Sequence, residues 1–122
     1  MPNQVGKLST SGLSAVASAA INGDAALGLV ATGSTQATAL PLGAANNFVA
    51  TTAASTGVIL PPGSAGDEVF VYNGGANALL VYPPVGSAIN NTAANTGFSV
   101  PTLKSVYVIY GSALQMATLL SA

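Results

Sequence analysis

At 122 residues the chain has the length of a single domain, yet only Lys7, Lys104, Asp24, Asp67 and Glu68 carry a formal charge, and it has no His and no Cys. Charged residues make up 4%, against about a quarter in an ordinary soluble domain, so little keeps a lone copy dispersed in water. Ser-His-Asp and Cys-His catalysis and a structural zinc site are excluded, and two distant cations cannot neutralise a row of phosphates, which excludes nucleic acid as a partner.

The first part of the chain, residues 1–34, is rich in small residues and reads as an N-terminal arm. LSAVASAAI (residues 13–21) has the Ala content for about two turns of helix, with Ser11 or Ser14 as a cap, but its apolar face is thin. An isolated helix this short is marginal in water, so the expectation is an extended or partly helical arm that orders on contact. Lys7 and AVASAA also evoke a signal peptide, but Ser and Gly interrupt the apolar stretch between them.

From residue 35 short apolar runs recur between turn residues, the pattern of an all-β domain over residues 35–122. The runs are QATALPL (36–42), NNFVATTA (46–53), GVILPP (57–62), DEVFVYN (67–73), NALLVYPP (77–84), SAINN (87–91), FSV (98–100), KSVYVIYGSA (104–113) and LQMATLL (114–120). The spacing predicts an antiparallel β-sandwich or jelly-roll-like barrel of about eight short strands. Asn73-Gly74-Gly75-Ala76-Asn77 is the best turn signal, so VFVY and LLVY are expected to pair antiparallel across a hairpin. No clean internal repeat is visible, which argues against a solenoid.

The expected core is Phe48, Val58, Leu60, Val69, Val71, Leu79, Val81, Ile89, Phe98, Val106, Val108 and Leu119. Alternation puts Val69 and Val71 on one face and Phe70 and Tyr72 on the other. Both faces are apolar, and one small domain has one core, so the outer face is expected to be an interface. No apolar run approaches the roughly 20 residues of a spanning helix, although mean hydropathy is +0.59, and no membrane partner is expected.

Few groups remain for chemistry. Asp67 and Glu68 are adjacent, so on a strand they diverge, and they read as a polar strand start. Lys104 and Ser105 diverge in the same way. Asp67, Glu68 and Asn73 have oxygen ligands for calcium but match no EF-hand spacing. Gly74-Gly75 lies between strands and is turn chemistry, with no phosphate-binding pattern. The four Tyr, among them Tyr72 and Tyr82, suit either a sugar platform or a subunit contact. No enzymatic activity, metal or cofactor is expected.

TQATALPL, the GVILPP and GDEV blocks and NGGANALLVYPPVGSAIN resemble a small β-domain of tailed-phage virion proteins, of the capsid-decoration and head-fibre type. The resemblance covers residues 33–120. It departs at the last strand, where LQMATLL has Met116 in place of a large aromatic. It implies a structural virion protein: a cement or head-fibre subunit, made in the host cytoplasm, that binds the major capsid protein as a homotrimer at the capsid surface. The arm residues Val5, Leu8, Leu13, Val16 and Ile21, together with Phe70, Tyr72 and Tyr82, are the expected capsid or inter-subunit contacts. The alternative is a tail-fibre or spike domain that binds host surface glycans.

Overall fold

The computed structural model describes residues 24–122. These form ten strands: β1 (Ala25–Val30), β2 (Leu40–Pro41), β3 (Asn46–Thr51), β4 (Gly57–Ile59), β5 (Glu68–Asn73), β6 (Leu79–Tyr82), β7 (Ala88–Ile89), β8 (Phe98–Val100), β9 (Ser105–Ser112) and β10 (Gln115–Leu120). A short 3-10 turn, Gln36–Thr38, precedes β2. The domain is all-β, as its texture indicates. The six-stranded sheet begins inside the segment read as an arm, because β1 is one of its strands.

The topology differs from the expected antiparallel sandwich. For its first six strands the chain alternates between two sheets. One has the order β1-β3-β5-β9-β10-β7, the other β2-β4-β6-β8. β1 with β2, β3 with β4, and β5 with β6 are successive rungs, each laid parallel on the one before. This is solenoid-like stacking. β8, β9 and β10 then turn back and close the stack with antiparallel pairs on β6, β5 and β9. The repeat escapes a sequence search because its steps are unequal. In the larger sheet Ala25 lies opposite Asn46, and Asn46 opposite Phe70. In the smaller sheet Leu40 faces Val58, and Gly57 faces Leu80. Each of these four steps has a different length along the chain.

VFVY and LLVY therefore do not pair. β5 lies between β3 and β9, and β6 between β4 and β8. The Asn73–Asn77 turn carries the chain from one sheet to the other, and Asn73 organises it. Its side chain is fully buried. Its Nδ2 donates to the carbonyls of Asn77 (2.8 Å) and Val100 (3.0 Å). Its Oδ1 accepts from the Thr52 hydroxyl (2.8 Å) and the Gly75 N–H (3.0 Å). Gly75 is needed here, because a Cβ would run into the Thr52 backbone nitrogen and hydroxyl. A corner so dependent on one side chain replaces the two-residue turn that would have made a hairpin.

One apolar core lies between the sheets. Val49, Val69, Val71, Val106, Val108, Tyr110 and Met116 enter from the larger sheet, and Val58, Leu79, Val81 and Val100 from the smaller. Of the expected core, Phe98 is only partly buried, Phe48 lies on the outer face and Leu119 is 70% exposed. Leu119 pairs with Tyr107 and so shares its outward direction. Gly57 lets the second and third rungs approach: a Cβ there would lie 2.6 Å from the Leu80 carbonyl oxygen and 2.9 Å from the Tyr82 ring.

Asn73→Ala strands the Thr52 hydroxyl, the Gly75 N–H and the Val100 carbonyl in the interior. The expected loss is roughly 2 to 4 kcal/mol of unfolding free energy, measured by urea denaturation.

Candidate functional site

Two features stand apart from ordinary packing: the outer face of the six-stranded sheet and a hollow at one end of it. The face follows from strand alternation. β3 turns Val49 inward and Phe48 outward, and β5 turns Val69 and Val71 inward and Phe70 and Tyr72 outward. β9, read as VYVIY, buries Val106, Val108 and Tyr110 and exposes Tyr107 and Ile109. Register then gathers the outward residues. Phe48 lies opposite Tyr72, Phe70 opposite Tyr107, and Tyr107 opposite Leu119.

The rings touch. Phe48 and Phe70 have centroids 5.7 Å apart, Phe48 and Tyr72 6.2 Å, and Phe70 and Tyr107 5.5 Å in an edge-on contact. Aromatic pairs at such distances contribute about 0.5–1.5 kcal/mol beyond their buried area and hold each other in place. The result is a rigid aromatic band across β3, β5 and β9, flanked by Ile109 (44% exposed) and Leu119 (70% exposed). Glu68 supplies the carboxylate on this face of β5.

Phe70 and Tyr72 thus lie on the outer face. Tyr82 does not join them: it is in the other sheet, only 8% exposed, with its hydroxyl on the Ser34 carbonyl at 3.3 Å. Val5, Leu8, Leu13, Val16 and Ile21 lie outside the described residues. Sequence reasoning missed Phe48, Tyr107, Ile109 and Leu119 as members of the face. The alternation of VYVIY points to two of them, but only the register of β3 and β10 brings in the others.

The hollow, about 220 Å³, is lined by Gly43, Ala45, Pro62, Gly63, Asp67 and Tyr110, among others. The Tyr110 hydroxyl donates to the Pro61 carbonyl at 2.6 Å. The Asp67 carboxylate accepts the Ser64 N–H at 2.9 Å, and the Asp67 carbonyl accepts the Tyr110 N–H at 2.9 Å. Burial, and secondarily the Asp67 charge, push the Tyr110 phenol up to about 12. A phenol held neutral and committed to a backbone carbonyl is a fastening and offers no base or nucleophile.

The other candidate groups do not converge. Asp67 and Asn73 lie at opposite ends of β5, roughly 20 Å apart at strand rise, so they cannot share a cation. The Lys104 ammonium reaches the Ala122 carbonyl, and the Ser105 N–H donates to the Ser121 hydroxyl at 2.9 Å. Among the described residues no three His, Cys, Asp or Glu side chains gather as a metal site. Comparison of the chain with protein-family models, curated proteins and solved structures gave no match.

Tyr110 makes stability pH-dependent at the alkaline end. Its proton is held to about pH 12 in the folded chain and to 10.0 in the ordinary phenol. Above pH 10 the unfolded chain releases it first, so stability should fall as pH rises from 10 to 12. Tyr110→Phe should flatten that slope in urea melts spanning this alkaline range. It should also cost about 1–2 kcal/mol at neutral pH through the unpaired Pro61 carbonyl.

Proposed function

We propose that this chain is a structural virion protein of a tailed phage. In this reading it is a capsid decoration (cement) or head-fibre subunit that binds and reinforces the capsid surface as a homotrimer. The observation that carries the reading is the aromatic band of Phe48, Phe70, Tyr72 and Tyr107 on the outer face of a chain with five charges. Obligate interfaces are apolar and resemble a core cut in half. The band has that character, and its rings are already fixed by one another, so little conformational freedom is lost on contact.

The resemblance of residues 33–120 to phage virion β-domains supports the same reading. So does the shortage of charge, since closely packed copies would repel one another little. A threefold ring closes on itself and hides a sticky face without growing into a filament. Cementing then needs no chemistry: each subunit adds contact area between neighbouring capsid proteins. The sites that do exist suit this role, because Asn73 and Tyr110 both serve to stiffen the subunit.

Binding to purified undecorated capsids tests the reading. The chain should cosediment with them in many copies per particle and should ignore added host polysaccharide. Tyr107→Asp, at a site 42% exposed, should leave the fold intact and weaken capsid binding tenfold or more. Retention of labelled polysaccharide with no capsid binding would favour the host-glycan alternative and defeat the proposal.

A further inference from the structure

Among the described residues Asn73-Gly74 is the one place where Gly follows Asn. Nothing shields the nitrogen of such a glycine, because Gly has no Cβ. That nitrogen can lose its proton and bond to the Asn Cγ, while the Cγ–Nδ2 bond breaks and ammonia leaves. Water then opens the cyclic imide. The product is either Asp or iso-Asp, in which the backbone runs through the side-chain carboxyl. Water is the only other reactant.

The fold holds the reacting atoms apart. The Gly74 N–H, the nucleophile, donates to the Val49 carbonyl at 2.8 Å. The Asn73 Nδ2, the leaving group, is bound to the Asn77 and Val100 carbonyls, and Oδ1 to the Thr52 hydroxyl and the Gly75 N–H. The Asn73 backbone is clamped as well. Its N–H donates to the Lys104 carbonyl at 2.9 Å, and its carbonyl accepts the Leu103 N–H at 2.8 Å. Cγ meets the Gly74 nitrogen only if the side-chain bonds and the bond to Val49 break, so the reaction needs the corner to open.

Neither residue is easily exchanged. The corner uses both donors and the acceptor oxygen of the Asn73 amide, and a Cβ on Gly74 would crowd the Tyr72 ring and the Val49 carbonyl oxygen, each at 3.1 Å. The products do not fit either. An ionised carboxylate has no donor, so at this fully buried position it would face the Asn77 and Val100 carbonyls oxygen to oxygen. Iso-Asp would also lengthen the backbone at the end of β5, where Asn73 is in register with Val49.

We propose that Asn73 is a masked deamidation site. The closed corner preserves it, opening exposes it to attack by Gly74, and the product bars the corner from closing again. Folding and chemical survival are thereby coupled at one residue: a chain that stays open long enough leaves the folded population for good. The inference is independent of the virion reading.

Chymotryptic peptide mapping by mass spectrometry tests it, on the full chain held at mildly alkaline pH with and without denaturing urea. Localisation to the peptide with Asn73 separates it from Asn22-Gly23, another such pair in the sequence. Deamidation at Asn73 should be at least about tenfold slower in the folded chain than in urea, because only the open fraction reacts. A smaller difference would overturn the proposal. If urea is removed part-way through the reaction, refolded chains should retain the Asn73 amide and deamidated chains should stay in the unfolded or aggregated fraction. Deamidated chains that refold with unchanged stability would overturn it too. Thr52→Val removes one bond to Oδ1. It should raise the folded-state rate severalfold and leave the rate in urea unchanged, and an unchanged folded-state rate would contradict the lock. If that variant fails to fold, the two measurements on the unmodified chain decide.

Discussion

The structure depends on the register of parallel rungs. A parallel ladder satisfies the backbone of each rung with the backbone of the next. Register also fixes direction: because side chains alternate, a slip by a single position would send every valine of β5 outward and both its aromatics inward. The pairs Asn47–Val71–Val106 and Phe48–Tyr72 are two sides of that single alignment. Core and outer band are therefore set together.

This coupling explains why a chain so poor in charge has so much apolar surface. On β3, β5 and β9 the large apolar residues are divided between the two faces of the sheet. Valine fills the inner face, where β-branched side chains pack well on a pleated surface. Aromatic rings fill the outer one, where they support each other across β3, β5 and β9. Polar side chains enter the interior where the chain changes sheets, as at Asn73 and Thr52.

Much of this was legible in the sequence. The strands around VFVY, LLVY and VYVIY fall where the alternating runs put them, and most of the valines and leucines read as core are buried. The two faces of β5 were also readable from its alternation. Pairing was not. Asn73–Asn77 has the composition of a hairpin turn, and local composition cannot distinguish a chain that doubles back from one that crosses to a second sheet. The repeat was hidden because no two of its steps share a length and because the returning strands β8 to β10 break it. Leu119 and Phe48 were misplaced for a related reason, since their direction depends on partners far away in sequence. Tyr82 lies in the other sheet, where Gly57 and Gly97 leave room for its ring, and no local pattern marks that difference from Tyr72.

The claim on which the functional account turns is that the aromatic band is buried against other copies in the working protein. Sedimentation equilibrium of the full chain at low micromolar concentration tests it most directly. The account predicts a species of three chains, each of 11.8 kDa. A freely soluble single chain across that concentration range would contradict it.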